Sequence, residues 1–417
     1  MGYPNNLEPG VQVTDWLGRL SRDSGEIGTL LRPAWEDQLA KGYGHTLREI
    51  VQQPVTWLET ASSVVDEAGR IEAALARAGV KNGGGLVLTG SGSSLYAGEC
   101  LALPLQDQLR VPVTAIGAGQ LLTHAEASLP PVGPYTLVSF ARSGNSPESR
   151  AVVDSLLEDP RAFHLILTCN GQGALATGYR GAARVHTIVL DEKTNDKSLV
   201  MTSSFTNMVL AGRSLGFLSA TPAYRASAER LARAASWTLQ NAADTLARVA
   251  RSPFSSAVYL ASGCRMGAAH EAALKLLEMN DGRIWTLAES YLGLRHGPMS
   301  AIHDDTLVVA FLSSDPVLRA YESDLLRELD RKKLGARRVI IGVSVPKDLA
   351  AGPDDAIVDV APAGALGDEE MVLIDVLAGQ LLAFFRCLSE DFRPDDPSAD
   401  GVISRVVSGF EIHRRPS

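Results

Sequence analysis

Two short serine-rich turns are the first places in this sequence where chemistry could be done. Ser91, Ser93 and Ser94 follow the apolar run LVLTG, and Ser143, Asn145 and Ser146 follow YTLVSFA, with Arg142 at its end. Each turn lies between a strand-like run and a helix-like run. Its hydroxyls therefore gather at a helix N-terminus, where unpaired N–H groups and a partial positive charge suit a phosphate. Gly90, Gly92 and Gly144 would let the backbone come close to such a ligand. Plain helix capping by serine is the competing reading. The stretch HEAALKLLE places Glu271, Lys275 and Glu278 at i, i+4 and i+7, on one helical face. Its neighbours Ala268, Ala269, Ala272, Ala273, Leu274, Leu276 and Leu277 predict a largely buried helix whose charges face one another or a cleft. A carboxylate in a partly dry cleft can serve as a base near neutral pH; a solvated, salt-bridged face is the alternative. The loop LGLRHGP carries Arg295 and His296 between Gly293 and Gly297-Pro298. Imidazole suits proton transfer near pH 7, and such a loop could carry it to a ligand.

Rival motifs fail. Gly90-Ser91-Gly92 would need a third glycine where Leu95 stands, so the dinucleotide fingerprint is missing, and no G-K-[ST] occurs. His270-Glu271 has no second histidine at position 274. Cys100, Cys169, Cys264 and Cys387 are at least 69 positions apart, which excludes a disulfide scaffold and a zinc ribbon. Neither a metal nor a cofactor is expected.

Strands alternate with helices, and each strand is a near-continuous apolar run, which implies parallel sheets covered on both faces. The pattern repeats. AVYLASGCRMG resembles the first strand and turn at an offset of 171, with Val87 on Val258 and Gly92 on Gly263; TLVVAFLSS resembles TLVSFARSG at an offset of 170, with Thr136 on Thr306 and Ser143 on Ser313. Two copies of one α/β domain follow, joined by the helical stretch 223–251. SGNS in the first copy becomes SSDP in the second, so only the first keeps the Ser/Gly turn. The first 44 residues read as an irregular extension with short amphipathic pieces. A charge of −9, from 39 basic and 48 acidic residues, argues against a nucleic-acid partner. Residues 371–385 come nearest to a membrane span but contain Asp375 and Gln380, so no membrane partner and a cytoplasmic location are expected.

LTGSGSS, SFARSGNSPES, ALKLLE and LRHGP together resemble sugar isomerase (SIS) domains in tandem, as in the isomerase half of glucosamine-6-phosphate synthase. REIVQQPVTW, TNDKSLVMTSSFTNM, LGLRHGP and DGVISRVVSGFEIH are more similar to the galactosamine-6-phosphate deaminase/isomerase family, also called tagatose-6-phosphate ketose/aldose isomerases. The resemblance spans residues 42–413. It implies two flavodoxin-like three-layer α/β/α domains: an extension at 1–44, a first domain at 45–220 with the phosphate turns, a second at 221–390 with the catalytic helix and loop, and a tail at 391–417 that reaches the site. It implies that Ser93, Ser94, Ser143 and Ser146 bind a sugar phosphate, with Arg142 adding charge. Glu278 would move a proton between C1 and C2, with Lys275 and Glu271 as its helical neighbours. His296 would open the sugar ring, from a loop that crosses a homodimer or larger assembly with shared active sites. Val200, Thr202 and Arg405 would meet the sugar. Lys197 stands where the synthase has an acidic residue, and the stretch from Glu278 to His296 is two residues longer, which implies another substrate or another fate for the amine. The implied activity is conversion of galactosamine 6-phosphate to tagatose 6-phosphate and ammonia through an enolamine. Glucosamine-6-phosphate deamination and plain aldose–ketose isomerisation of a phosphorylated hexose are the alternatives. A sugar-phosphate-sensing regulator would have no need of Glu278, Lys275 and His296, and residues 1–44 are too few and not basic enough for a DNA-binding helix-turn-helix.

Overall fold

In the computed structural model, all residues are described except 1–6, 8, 9, 81–83, 399, 408, 410 and 414–417. The apolar runs form strands. β1 (Gly85–Gly90), β2 (Val113–Gly117), β3 (Tyr135–Ala141), β4 (Ala162–Thr168) and β5 (Val185–Val189) make one parallel sheet in the order β2-β1-β3-β4-β5. β6 (Ser256–Ala261), β7 (Trp285–Ser290), β8 (Thr306–Leu312), β9 (Arg337–Gly342) and β10 (Ala356–Asp359) make a second parallel sheet in the order β10-β9-β8-β6-β7. Read from its other edge this is β7-β6-β8-β9-β10, so the two sheets share one topology. The repeat seen in the sequence falls on equivalent strands, β1 with β6 and β3 with β8. Every residue of β1, β3, β4 and β8 is buried, as strands covered on both faces must be.

By internal contacts the chain groups into two compact units. The first-sheet unit comprises Glu59–Asp196, Ser203–Arg225 and Gly401–Ser417; the second-sheet unit comprises Met1–Leu58, Lys197–Thr202 and Ala226–Asp400. The opening segment, read as irregular, carries the helices Val13–Leu20, Glu26–Leu31 and Trp35–Ala40. Aromatic groups pin it: Trp16 is buried and donates its indole N–H to the carbonyl of Val51 at 2.7 Å, and the Arg48 guanidinium lies 3.8 Å from the Trp35 ring centre. Residues 223–251, expected to be helical, form Thr221–Asn241 and Ala243–Ala250.

The second-sheet unit is organised around the helix Asp368–Ser389, buried from Glu370 to Cys387. It is long and apolar enough to cross a membrane, yet here it is an interior helix. The helix Arg265–Met279, which carries HEAALKLLE, packs against it so closely that a Cβ on Gly379 would lie 2.5 Å from the Cβ of Ala272. Helix propensity alone would favour alanine over glycine at position 379 by about 1 kcal/mol. Forcing two helices apart in a packed core costs about 1–3 kcal/mol, so Gly379→Ala is expected to lower the unfolding free energy in a denaturant titration. A more stable variant would mean that the helices have room to part.

Candidate active site

In the order β2-β1-β3-β4-β5, β1 and β3 are neighbours whose connections leave on opposite sides, and ligands of such sheets collect at that switch point. Both serine turns lie there. After β1 the chain turns through Gly92, at φ +54°, into the helix Ser93–Leu109. Only glycine fits position 90, because a Cβ there would lie 2.4 Å from the Cβ of Ser94. Ser94 donates its N–H to the carbonyl of Ser91 at 3.1 Å, and Ser93 and Ser94 are 5% and 6% exposed. Ser94 lies inside the helix rather than at its cap.

The turn after β3 is held by the turn after β4. Gly144 takes φ +65°, Asn170 donates Nδ2–H to the carbonyl of Ser143 at 2.9 Å, and Asn145 Oδ1 accepts the N–H of Ala174 at 2.9 Å. Ser143 Oγ accepts the N–H of Asn145 at 3.2 Å. Ser146 occupies the cap position of the helix Pro147–Leu156, but its hydroxyl makes no cap hydrogen bond. The capping explanation of these serines therefore fails at both Ser94 and Ser146. Arg142, which is buried, donates from Nη2 to the carbonyl of Arg405 at 2.6 Å. Arg405 in turn donates from Nε to the carbonyl of Asp196 at 2.8 Å and from Nη2 to Asn195 Oδ1 at 2.8 Å. The tail thus brings Arg405 to the arginine of the second turn. Asn170, Asn195 and Asp196 were not singled out in the sequence; their only signal was a position just after a strand or within TNDKSL.

In the second-sheet unit the helix Arg265–Met279 turns its charged face inward. Glu271 and Lys275 are 0% and 1% exposed, and the Glu278 side chain is 24% exposed. Lys275 Nζ lies 2.6 Å from Glu278 Oε2 and 3.3 Å from Glu271 Oε1. The solvated-face alternative is therefore wrong. One cation serves two carboxylates, and only Glu278 reaches solvent. Removing one partner of such a buried pair would leave an uncompensated charge, at a cost of about 3–5 kcal/mol.

His296 is exposed, on the short helical turn Gly293–His296 of the same unit, followed by Gly297 at φ +128°. Arg295 donates its Nε–H to Glu328 at 2.7 Å, and Glu328 also receives Lys332 at 2.6 Å. Those two cations hold the Glu328 carboxyl well below the usual range. Val200 and Thr202, also in this unit, are buried. Among the described residues, no group of three or more His, Cys, Asp or Glu side chains is placed to hold a metal ion.

The second copy of the serine turn is closed by the protein's own carboxylates. Ser313 Oγ donates to Asp368 Oδ2 at 2.5 Å, Ser314 N–H donates to Asp368 Oδ1 at 2.9 Å, and Ser313 N–H donates to Glu322 Oε2 at 2.7 Å. Asp315 caps the following helix by accepting the N–H groups of Val317 and Leu318, each at 2.9 Å. Within the motif, Asp315 adds the cap; Asp368 and Glu322, from elsewhere in the chain, fill the turn.

No protein-family model matches the chain. It is 34% identical over 372 residues to an Escherichia coli protein named D-galactosamine-6-phosphate deaminase AgaS, spanning 88% of this chain and 95% of that one. It is 33% identical over 377 residues to a protein of the same name from a Shewanella species, spanning 88% and 91%. Among solved structures, the tagatose-6-phosphate ketose/aldose isomerase from Escherichia coli matches with a TM-score of 0.80 at 31% identity, covering 89% of this chain and 97% of that one. The C-terminal domain of glucosamine-fructose-6-phosphate aminotransferase from Francisella tularensis shares the fold, with a TM-score of 0.69 at 16% identity over 86% and 98%. The likeness runs along nearly the whole of the two curated relatives and joins the paired parallel sheets and the buried Glu-Lys-Glu helix: this chain belongs to the D-galactosamine-6-phosphate deaminase AgaS family, built from tandem SIS domains.

Proposed function

We propose that the protein converts D-galactosamine 6-phosphate and water to D-tagatose 6-phosphate and ammonia. The observation that carries the reading is Glu278, the one carboxylate of the buried Glu271-Lys275-Glu278 face that reaches solvent. Ser93, Ser94, Ser143 and Ser146 hold the 6-phosphate, and Arg142 and Arg405 add positive charge beside the second turn. Val200 and Thr202 meet the sugar. His296 assists ring opening. Glu278, aimed by its ion pair with Lys275, takes the C2 proton of the open-chain aldehyde. The resulting enolamine is protonated at C1 by the same carboxylic acid, which leaves an imine at C2. Water adds to the imine carbon, and ammonia leaves as the C2 carbonyl forms. Every atom lost or gained is accounted for by one water in and one ammonia out, so no cofactor is needed.

The same proton transfer on a substrate with a 2-hydroxyl gives an aldose–ketose isomerisation. This second reading is favoured by the 31% identity to a solved protein named for that activity. Ammonia release from a panel of 2-amino and 2-hydroxy hexose 6-phosphates separates the two, and includes the gluco epimer.

The enzyme works in the cytoplasm as a homodimer or larger assembly, with phosphosugar as its ligand and with neither nucleic acid nor membrane as a partner. Support comes from the exposure of His296 on a loop flanked by apolar groups that have no cover in one chain: Leu292 is 52% exposed, and Trp285, on the edge strand β7, is 50% exposed.

Two outcomes are expected. Glu278→Gln keeps the shape and removes the base, so kcat should fall by about 10²–10⁴-fold with little change in substrate binding. Exchange of the C2 hydrogen with deuterated water should stop with it, and exchange at the wild-type rate would remove Glu278 from the mechanism. Mixing Glu278→Gln and His296→Ala subunits under conditions of proven exchange should restore part of the activity. No recovery would place the whole site within one chain.

A further inference from the structure

The segment Lys197–Thr202 has no regular secondary structure, so its backbone N–H groups have no ladder or helix to satisfy them. A single buried carboxylate takes two of them. Glu49, 6% exposed on the helix Gly44–Val51, accepts the N–H groups of both Lys197 and Ser198 on Oε1, the latter at 3.2 Å, and the hydroxyl of Ser198 on Oε2. The rest of the segment is held in the same manner. Leu199 donates its N–H to the carbonyl of Asp395 at 3.0 Å. The carbonyl of Thr202 accepts Gln380 Nε2–H at 3.1 Å, and Gln380 Oε1 accepts Gln53 Nε2–H at 2.7 Å. Asp395 itself is fixed by the N–H and hydroxyl of Thr46, at 2.7 and 2.8 Å, one turn before Glu49 on the same helix.

We propose that Glu49 is a positioning residue of the reaction: its carboxylate sets the path of the backbone that presents Val200 and Thr202 to the sugar. This rests on the phosphosugar reading above. What position 49 must supply is an acceptor for the two N–H groups that share Oε1; the second oxygen meets only a hydroxyl, which can also accept, so an amide could keep both N–H bonds and what the carboxylate adds is charge. Charge-assisted bonds to N–H groups are also the strong ones. Glu49 acts on the segment by holding its backbone, so its loss should weaken ground-state positioning rather than proton transfer.

The test has two arms. Amide hydrogen exchange on the whole protein should show that Lys197 and Ser198 lose protection in Glu49→Ala, which removes the acceptor, while the sheets keep theirs. Wild-type protection at those two amides overturns the clamp, whatever the substrate proves to be. In steady-state kinetics, Glu49→Ala should raise KM for the phosphosugar about 10–100-fold with kcat within about threefold, the size of effect expected from a misplacement of about 1 Å. Glu49→Asp, which keeps a carboxylate, should recover part of the loss. A wild-type KM in a folded Glu49→Ala, measured beside an active wild-type enzyme, overturns the positioning role. If the wild type turns over no phosphosugar, the functional reading fails instead, and the exchange arm still decides the clamp.

Discussion

The working helix depends on a buried charge at its start. Arg265, 1% exposed, opens the helix Arg265–Met279, where a cation meets the positive end of the helix dipole. It is tolerable there only because it is fully paired. Nε and Nη2 donate to the two carboxylate oxygens of Asp375, each at 2.7 Å; Nη1 donates to the carbonyl of Leu312 at the end of β8, and Nη2 reaches that of Ile341 in β9. Burial pushes the Asp375 carboxyl up to about 6, and the bidentate guanidinium works against that push. Removing either partner would leave a buried charge alone, at a cost of about 3–5 kcal/mol. One guanidinium therefore joins the helix Arg265–Met279, the helix Asp368–Ser389 and two strand ends. Seven residues on, Ala272 meets Gly379, on the same face of the helix. These two fixed points set the rotation of the helix about its own axis. At 3.6 residues per turn, Glu271, Lys275 and Glu278 then stand roughly a quarter turn away from the packed face. The direction in which Glu278 looks is thus decided by residues about one to four turns away on the packed part of the helix.

The two repeats solve the same local problem in opposite ways. In each, a strand ends in a serine turn that leaves N–H groups without helical partners. In the second copy, Asp315, Asp368 and Glu322 take those donors, and the turn becomes structural. In the first copy the donors are held open by backbone geometry instead: Gly144 in the left-handed region, Asn170 on the Ser143 carbonyl, and a Ser146 hydroxyl that makes no cap. A single pair of substitutions, Gly144 and Asn145 against Ser314 and Asp315, accounts for much of the difference. On the proposed function, one copy holds an anion and the other holds a charged helix. That division places the serine turns and the Glu-Lys-Glu helix in different copies of one fold.

What the sequence revealed follows from how physical signals are written. Strands buried on both faces, such as β3 and β8, are continuous apolar runs and were legible, as was the repeat that relates them. β2 was not, because the short run Val113–Gly117 is half exposed and has no such run. The Glu-Lys-Glu spacing was legible because helical periodicity is local, and its alanine-rich neighbours correctly signalled burial. The commitment of Arg295 to Glu328, 33 positions away, was not, since a long-range ion pair leaves no trace in spacing. Glu49 was hidden for the same reason: its partners lie 148 and 149 positions along the chain.

On the proposed function an acidic protein must bind a phosphate, and −9 of net charge repels that ligand at long range. The structure shows how the conflict is reduced. Many of its carboxylates are used as acceptors for backbone N–H groups that irregular segments and helix first turns would otherwise leave unpaired: Glu49 on Lys197 and Ser198, Asp395 on His45 and Thr46, Asp196 on Ser203 and Ser204, Asp368 on Ser314, and Asp359 on Ser344 and Ala361. Each such charge is partly cancelled by the dipoles it receives and, where buried, is fixed in position. Serine hydroxyls, helix N-termini and the arginines Arg142 and Arg405 are instead gathered at one end of the first sheet. Fields inside a protein are dominated by what lies within a few ångströms, because salt screens exposed charges beyond about 10 Å. A local cluster of donors can therefore hold an anion against an unfavourable total. The same carboxylates that give the chain its negative charge hold the irregular segments in shape.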